Sequence, residues 1–221
     1  MSYIVFTDAC SNLPGAITRQ KDIRLLPCSY VMDEVPGVYQ GDLDSFDHHE
    51  FYEKLRHGSV LKTSLLNSQL FIDHFRPVLE AGKDVIYVGL SSGISGTIQA
   101  AGIAVDELHE EFPERTIHVV DSLGAGFGTG LLACMAADLR QEGKSAQEAG
   151  KLLDEAVTRL LQFFTVDNLM FLKRTGRVSG ATAAIGTVLN IKPLLWGNPT
   201  GHIVSCGKHR GRKAFGLVKI S

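Results

Sequence analysis

The sequence predicts an α/β protein. A Rossmann-like N-terminal domain on a parallel sheet is followed by a smaller α+β domain. Three observations carry this reading. Short apolar runs alternate with amphipathic stretches from Tyr3 to about Leu160, the pattern of strands and crossover helices over a mostly parallel sheet. Three of the runs end in polar or glycine-rich loops, at Asp8, Gly89 and Asp121, and sheets of this kind hold ligands beyond the carboxyl ends of their strands. Beyond Phe164 both the pattern and the charge change.

The elements follow in order. Residues 3–8 (Tyr-Ile-Val-Phe-Thr-Asp) read as a buried parallel strand. Ser11-Asn12-Leu13-Pro14 is a turn that opens a helix, and residues 23–31 read as a second strand. Asp44 or Ser45 caps a helix to about Arg56, with Phe46, Phe51, Tyr52 and Leu55 as its apolar stripe. A helix over Leu70–Glu80, a strand over Asp84–Leu90 and a helix over Ile98–Phe112 come next. A strand at Thr116–Asp121 leads through a glycine loop to a helix near Gly130–Gln141. Ser145 with Glu148 forms a capping box for a helix to about Leu161. The predicted division is residues 1–163 as the α/β domain and 164–221 as a partial α+β lid or second domain. In the latter, a small-residue helix spans Ala181–Leu189. Two strands, Ile191–Trp196 and His202–Cys206, are joined by Gly197-Asn198-Pro199-Thr200-Gly201, a hairpin turn signal.

Composition narrows the function. A chain of 221 residues with 44% hydrophobic and 21% charged residues is ordinary for a globular protein. No run of about 18 apolar residues occurs, so no membrane span is expected. The N-terminus lacks a basic, long-apolar leader, and the expected location is the cytoplasm. Cys10, Cys28, Cys134 and Cys206 form no CxxC pair and are read as reduced, mostly buried thiols. The histidines form no HExxH motif, so no metal is expected. The net charge of −2 hides a split. Residues 1–172 carry 24 acidic and 13 basic side chains, whereas residues 173–221 carry nine basic and none acidic. Lys173, Arg174 and Arg177 form one basic cluster; Lys208, His209, Arg210, Arg212 and Lys213 form another. A nucleic-acid patch is one reading of such clusters. Without interleaved aromatics, and with an acidic remainder, a surface for an acidic partner or a phosphate fits better.

Three loops could carry chemistry. The first, Thr63-Ser64-Leu65-Leu66-Asn67-Ser68, offers paired hydroxyls and a helix cap. The second, Gly89-Leu90-Ser91-Ser92-Gly93-Ile94-Ser95-Gly96-Thr97, opens a helix whose free N–H groups suit an anion, with Ser95 and Thr97 as further hydroxyl donors. It lacks both the Gly-Lys-Ser/Thr of a nucleotide-binding loop and the GxGxxG spacing. The third, Asp121-Ser122-Leu123-Gly124-Ala125-Gly126-Phe127-Gly128-Thr129-Gly130, suits a backbone that lies close against a ligand, or at Gly130 close helix–sheet packing. Neutral donors abound and general bases are few, which favours binding over bond breaking. The alternative is a free-standing hydrolase or transferase that acts on a small acid or phosphate through Ser92 or Ser95.

These motifs resemble the DegV family. The resemblance extends, in order, through Thr7-Asp8, Thr63-Ser64, Ser91–Thr97, Asp121-Ser122 with its glycines, Leu172–Ser179, Leu189–Pro193 and Lys208–Lys213. It implies a subunit of a bacterial fatty acid kinase system, itself not an enzyme. Such a subunit holds one long-chain fatty acid between two domains and presents its carboxyl group to a separate ATP-dependent kinase subunit for acyl-phosphate formation. The implied carboxyl contacts are Thr63, Ser92, Ser95 and Gly96. Ser64, Ser122 and Gly126 belong to the pocket loops, and Arg174, Arg177 and Arg210 meet the kinase or the transferred phosphate. No cofactor is implied beyond the fatty acid as ligand. A transient membrane contact and a homodimer through an exposed strand edge are further expectations; a nucleic-acid partner is not. Family members run several tens of residues past the Arg-Gly-Arg-Lys segment, and that tail supplies a histidine near the carboxyl group. This chain ends at Ser221, so its second domain is expected to be short.

Overall fold

A computed structural model of the chain describes residues 2–166, 169–178 and 191–210. The chain divides into two compact units, residues 1–159 and 160–221.

In the first unit, β1 (Tyr3–Asp8) runs through a 3-10 turn (Ala9–Ser11) and α1 (Gly15–Gln20) to β2 (Ile23–Leu26). Then come β3 (Cys28–Met32), β4 (Val35–Tyr39), α2 (His48–Arg56), β5 (Leu61–Thr63) and α3 (Ser68–Glu80). The unit closes with β6 (Asp84–Gly89), α4 (Thr97–Glu111), β7 (Ile117–Asp121), α5 (Phe127–Gln141) and α6 (Ala146–Val157). Four strands form a parallel sheet in the order β2-β1-β6-β7. Every residue of β1 and β6 is buried, as expected of strands covered by helices on both faces.

The two faces follow the two-residue period of a strand. Ile4, Phe6, Val85 and Tyr87 join Phe71 and Phe75 of α3 and Ala101, Ala104 and Leu108 of α4 in one core. On the other face the Tyr3 hydroxyl donates to Ala136 O of α5 at 2.7 Å. Burial at that bond pushes the Tyr3 pKa up to about 12. Fully burying each of the core phenylalanines stabilises the unit by about 1.5–3 kcal/mol. The Ser145–Glu148 capping box is present at the start of α6.

The strand expected over residues 23–31 is in fact two strands in two sheets. β2 pairs with β1, whereas β3 joins an antiparallel sheet of order β4-β3-β5. Pro27 lies between them and offers no backbone donor with which to continue a ladder.

The second unit holds β8 (Phe163–Phe164), the short α7 (Leu169–Arg174), β9 (Ile191–Gly197) and β10 (Ile203–Arg210). Its antiparallel sheet has the order β10-β9-β8. The β9–β10 turn forms where expected, with Asn198 Oδ1 accepting from the N–H groups of Thr200 and His202. Phe163 stacks on Trp196 at 6.0 Å, and Leu169, Val178 and Leu195 form a small core. The helix expected over Ala181–Leu189 lies outside the described residues, as do Arg212 and Lys213.

Candidate functional site

The carboxyl ends of β1, β6 and β7 form one edge of the parallel sheet, and hydrogen bonds sew their loops together there. Asp8, the last residue of β1, is 1% exposed. Its carboxylate accepts from Cys10 N–H at 2.9 Å, Leu90 N–H at 2.9 Å and the Tyr87 hydroxyl at 3.2 Å. Burial holds the Asp8 pKa above the ordinary carboxylate value despite these three donors. Asp121, at the end of β7, accepts from Ser92 N–H and Leu123 N–H through the same oxygen, each at 3.1 Å. Ser91 N–H donates to Gly124 O at 2.9 Å. The second and third loops of the sequence reading are therefore one structure.

The first loop is tied to the second as well. Leu66 N–H donates to Thr97 Oγ1 at 3.3 Å. Thr63 ends β5 opposite Tyr30 of β3, and Ser64 N–H extends that pairing to Ser29 O. Thr63 and Ser64 are both exposed. Asn67 is the cap of α3, accepting from Leu70 N–H, so the hydroxyls of Thr63 and Ser64 are not needed for capping.

Ser95 sits just before α4 and is partly buried. Its Oγ accepts from Thr97 N–H at 3.3 Å and lies 2.9 Å from Thr97 Oγ1. Gly96 is exposed, and its N–H has no acceptor among the described residues. Ser92 is partly buried, with its amide used by Asp121. This arrangement presents hydroxyl and amide donors beside a helix N-terminus, where an anion is favoured. No histidine or carboxylate hydrogen-bonds to the Ser92 or Ser95 hydroxyl among the described residues. A serine nucleophile would need such a base within about 3 Å.

Ser122 and Gly126 serve the loop itself. Ser122 is 1% exposed, and its hydroxyl bonds to Gly124 O, Gly124 N–H and Thr129 Oγ1. Gly126 has φ +55°, ψ −130°, a conformation open to glycine alone. Gly130 packs tightly, because a Cβ there would lie 2.8 Å from Ser11 O and from a Leu13 methyl.

The arginines belong to the second unit. Arg174 ends α7, Arg177 donates to Thr175 O, and both are exposed. Val178 bridges to Ile203 at the start of β10, whereas Arg210 ends that eight-residue strand. Val178, next to Arg177, and Arg210 therefore lie at opposite ends of one strand, on the order of 20 Å apart along it.

Two features were not foreseen. Cys10 Sγ and Cys28 Sγ lie 3.5 Å apart, brought together from the 3-10 turn after β1 and the start of β3. The Cys28 contact, followed by burial, raises the Cys10 pKa. None of the four cysteines is fully buried, and Cys206 is exposed. An open groove of 350 Å³ also lies beside α2, lined by Tyr30, Phe46 and Phe51 but also by Asp33, Asp47 and Glu50. Its carboxylates disfavour an anion, and Asp47 is already committed to capping Glu50 N–H. Among the described residues, no helix is long and apolar enough to cross a membrane, and no group of three or more metal-binding side chains occurs.

Known proteins of similar sequence and structure bear on this site. A DegV domain-containing protein of Clostridium perfringens is 37% identical over 212 residues, covering 96% of this chain and 72% of the relative. A solved structure described as fatty acid binding of a DegV family protein from Thermus thermophilus matches with a TM-score of 0.82 at 32% identity, covering 97% of this chain and 74% of the other. A stearic acid-binding protein from Eubacterium ventriosum matches with a TM-score of 0.84 at 26% identity, covering 96% and 72%. The family model described as "Uncharacterised protein, DegV family" matches residues 2–216. On that match and the Clostridium relative together, the chain belongs to the DegV family.

Proposed function

We propose that this protein binds one long-chain fatty acid and holds its carboxyl group at the hydroxyls of Thr63, Ser92 and Ser95 and the Gly96 amide. The observation that carries the proposal is the likeness to the Thermus protein, which is described as binding fatty acid. The loop geometry supports it. Donors without a partnering base suit a carboxylate that is to be held, not cleaved.

Magnitudes divide the labour between tail and head. Burying ~15 methylenes at ~0.8 kcal/mol each supplies on the order of 12 kcal/mol before ordering costs. One hydrogen bond to a charged head contributes about 1.5–3 kcal/mol. The tail therefore provides the affinity and the hydroxyls the orientation.

The orientation serves a partner. The carboxylate oxygen attacks the γ-phosphorus of ATP on a separate kinase subunit, ADP leaves, and acyl-phosphate forms. The nine basic and no acidic residues of 173–221 suit a phosphate-bearing partner, with Arg174, Arg177 and Arg210 as the contacts. Mass spectrometry of lipid extracted from denatured protein is the test. An acyl chain of about 14–18 carbons, the size range taken in that burial arithmetic, near one per protein, is the expected result. Protein that remains empty after incubation with such acids would overturn the proposal.

A further inference from the structure

Thr97 is 2% exposed, and its hydroxyl touches both halves of the site. It accepts from Leu66 N–H at 3.3 Å and lies 2.9 Å from Ser95 Oγ. A hydroxyl has one proton to give and two lone pairs with which to accept. Ser95 Oγ already receives Thr97 N–H at 3.3 Å. If the Thr97 proton also points at Ser95 Oγ, both Ser95 lone pairs are filled. The single Ser95 proton is then left for a ligand. A carboxylate can only accept, so an anionic head selects this arrangement and a head that must itself donate does not. The run from Leu66 N–H through Thr97 to Ser95 also polarises each bond in turn, which strengthens the final donor.

We propose that Thr97 is the positioning residue that fixes Ser95 as a hydrogen-bond donor, and so makes the site selective for an ionised carboxylate over a neutral head of the same chain length. The proposal rests on the fatty-acid reading above. Thr97 does not touch the ligand; it acts through Ser95, and through Leu66 it sets the spacing of the segment that follows Thr63.

The test compares stearate with stearyl alcohol on the full chain, by affinity and by NMR titration of stearate with an isotopically labelled carboxyl carbon. Ser95→Ala and Thr97→Val are each expected to weaken stearate about tenfold, the loss of one charge-assisted bond, while stearyl alcohol changes by less than about twofold. The bound carboxyl pKa rises in both variants, because a donor to the charged form has gone. The double variant is no weaker than either single one, and Thr97→Ser behaves as wild type. Thr97→Ala carries the same expectation with less bulk, so a valine variant that fails to fold does not shield the proposal. The role of Thr97 is overturned if its substitution weakens both probes alike, adds in full to Ser95→Ala, or is not rescued by serine. If Ser95→Ala leaves both the affinity and the titration unchanged, the placement of the carboxylate falls, and the role of Thr97 with it. A wild-type protein that binds neither probe overturns the fatty-acid reading itself.

Discussion

Removing the carboxylate of Asp8 is the most direct challenge to the scaffold of the site. Asp8→Ala takes the acceptor from Cys10 N–H, Leu90 N–H and the Tyr87 hydroxyl. Tyr87 is 0% exposed, and Asp8 itself is 1% exposed, so water does not reach in to replace the lost partner. A buried donor left unsatisfied costs about 1–3 kcal/mol. Three such donors, less the relief of no longer burying a carboxyl group, leave a net loss of about 2–4 kcal/mol. That is a large fraction of the ~5–15 kcal/mol that stabilises a typical domain. Asp8→Asn keeps one acceptor oxygen but sets an NH2 group against the remaining donors, and about 1–2 kcal/mol is expected. Urea unfolding at neutral pH, followed by far-ultraviolet circular dichroism, measures both. An Asp8→Ala protein within about 0.5 kcal/mol of wild type, the range of an inert surface change, would refute the reasoning.

Other consequences are independent of that one. The Asp8 pKa is raised above 3.8 in the folded state, so the native protein binds the proton more tightly than the unfolded chain does. Its contribution therefore declines as pH rises from 3.8 through the raised folded value and is constant above it. Asp8→Asn should lack that slope in stability measured against pH; an unchanged slope would assign it elsewhere. Ser95→Ala and Thr63→Ala should reduce phosphorylation by the partner kinase more than they reduce fatty-acid retention, and equal losses would sink the division between head and tail. Gly102→Ala, with open space around the new methyl group, should stabilise by about 0.5–1 kcal/mol. Gly130→Ala, in contact with Ser11 O, should destabilise by about 1–3 kcal/mol, and thermal melts compare the two. Exposed Cys206 should react with iodoacetamide first, and Cys10, whose pKa Cys28 and burial raise, should react slowly; peptide mapping that finds Cys10 labelled as fast as Cys206 would contradict this.

The parallel sheet was legible because its signals are local. β1, β6 and β7 are short apolar runs that end in loops, and Ser145 with Glu148 caps a helix by residue type alone. The β3–β4 hairpin was not legible. Its turn places Asp33 and Glu34 at φ +48° and +67°, the type I′ shape that normally announces itself with Asn-Gly or Asp-Gly. Here a distant partner holds it, as Asp33 exchanges hydrogen bonds with Val60 across 27 residues. The site divides in the same way. Hydroxyl-rich loops could be found by composition. That Ser122 turns its hydroxyl inward, that Asp121 joins two loops, and that Thr97 joins the third depend on long-range geometry. The Cys10–Cys28 approach likewise depends on the turn after β1 meeting the start of β3.

The central claim is that the carboxyl group of a fatty acid rests at the loops around Thr63 and Ser95. Backbone amide NMR of the protein titrated with stearate tests it most directly. The account predicts saturable shifts near one equivalent, concentrated at residues 63–66 and 92–97. Shifts confined to Tyr30, Phe46 and Phe51 beside α2, with those loops unchanged, would contradict it.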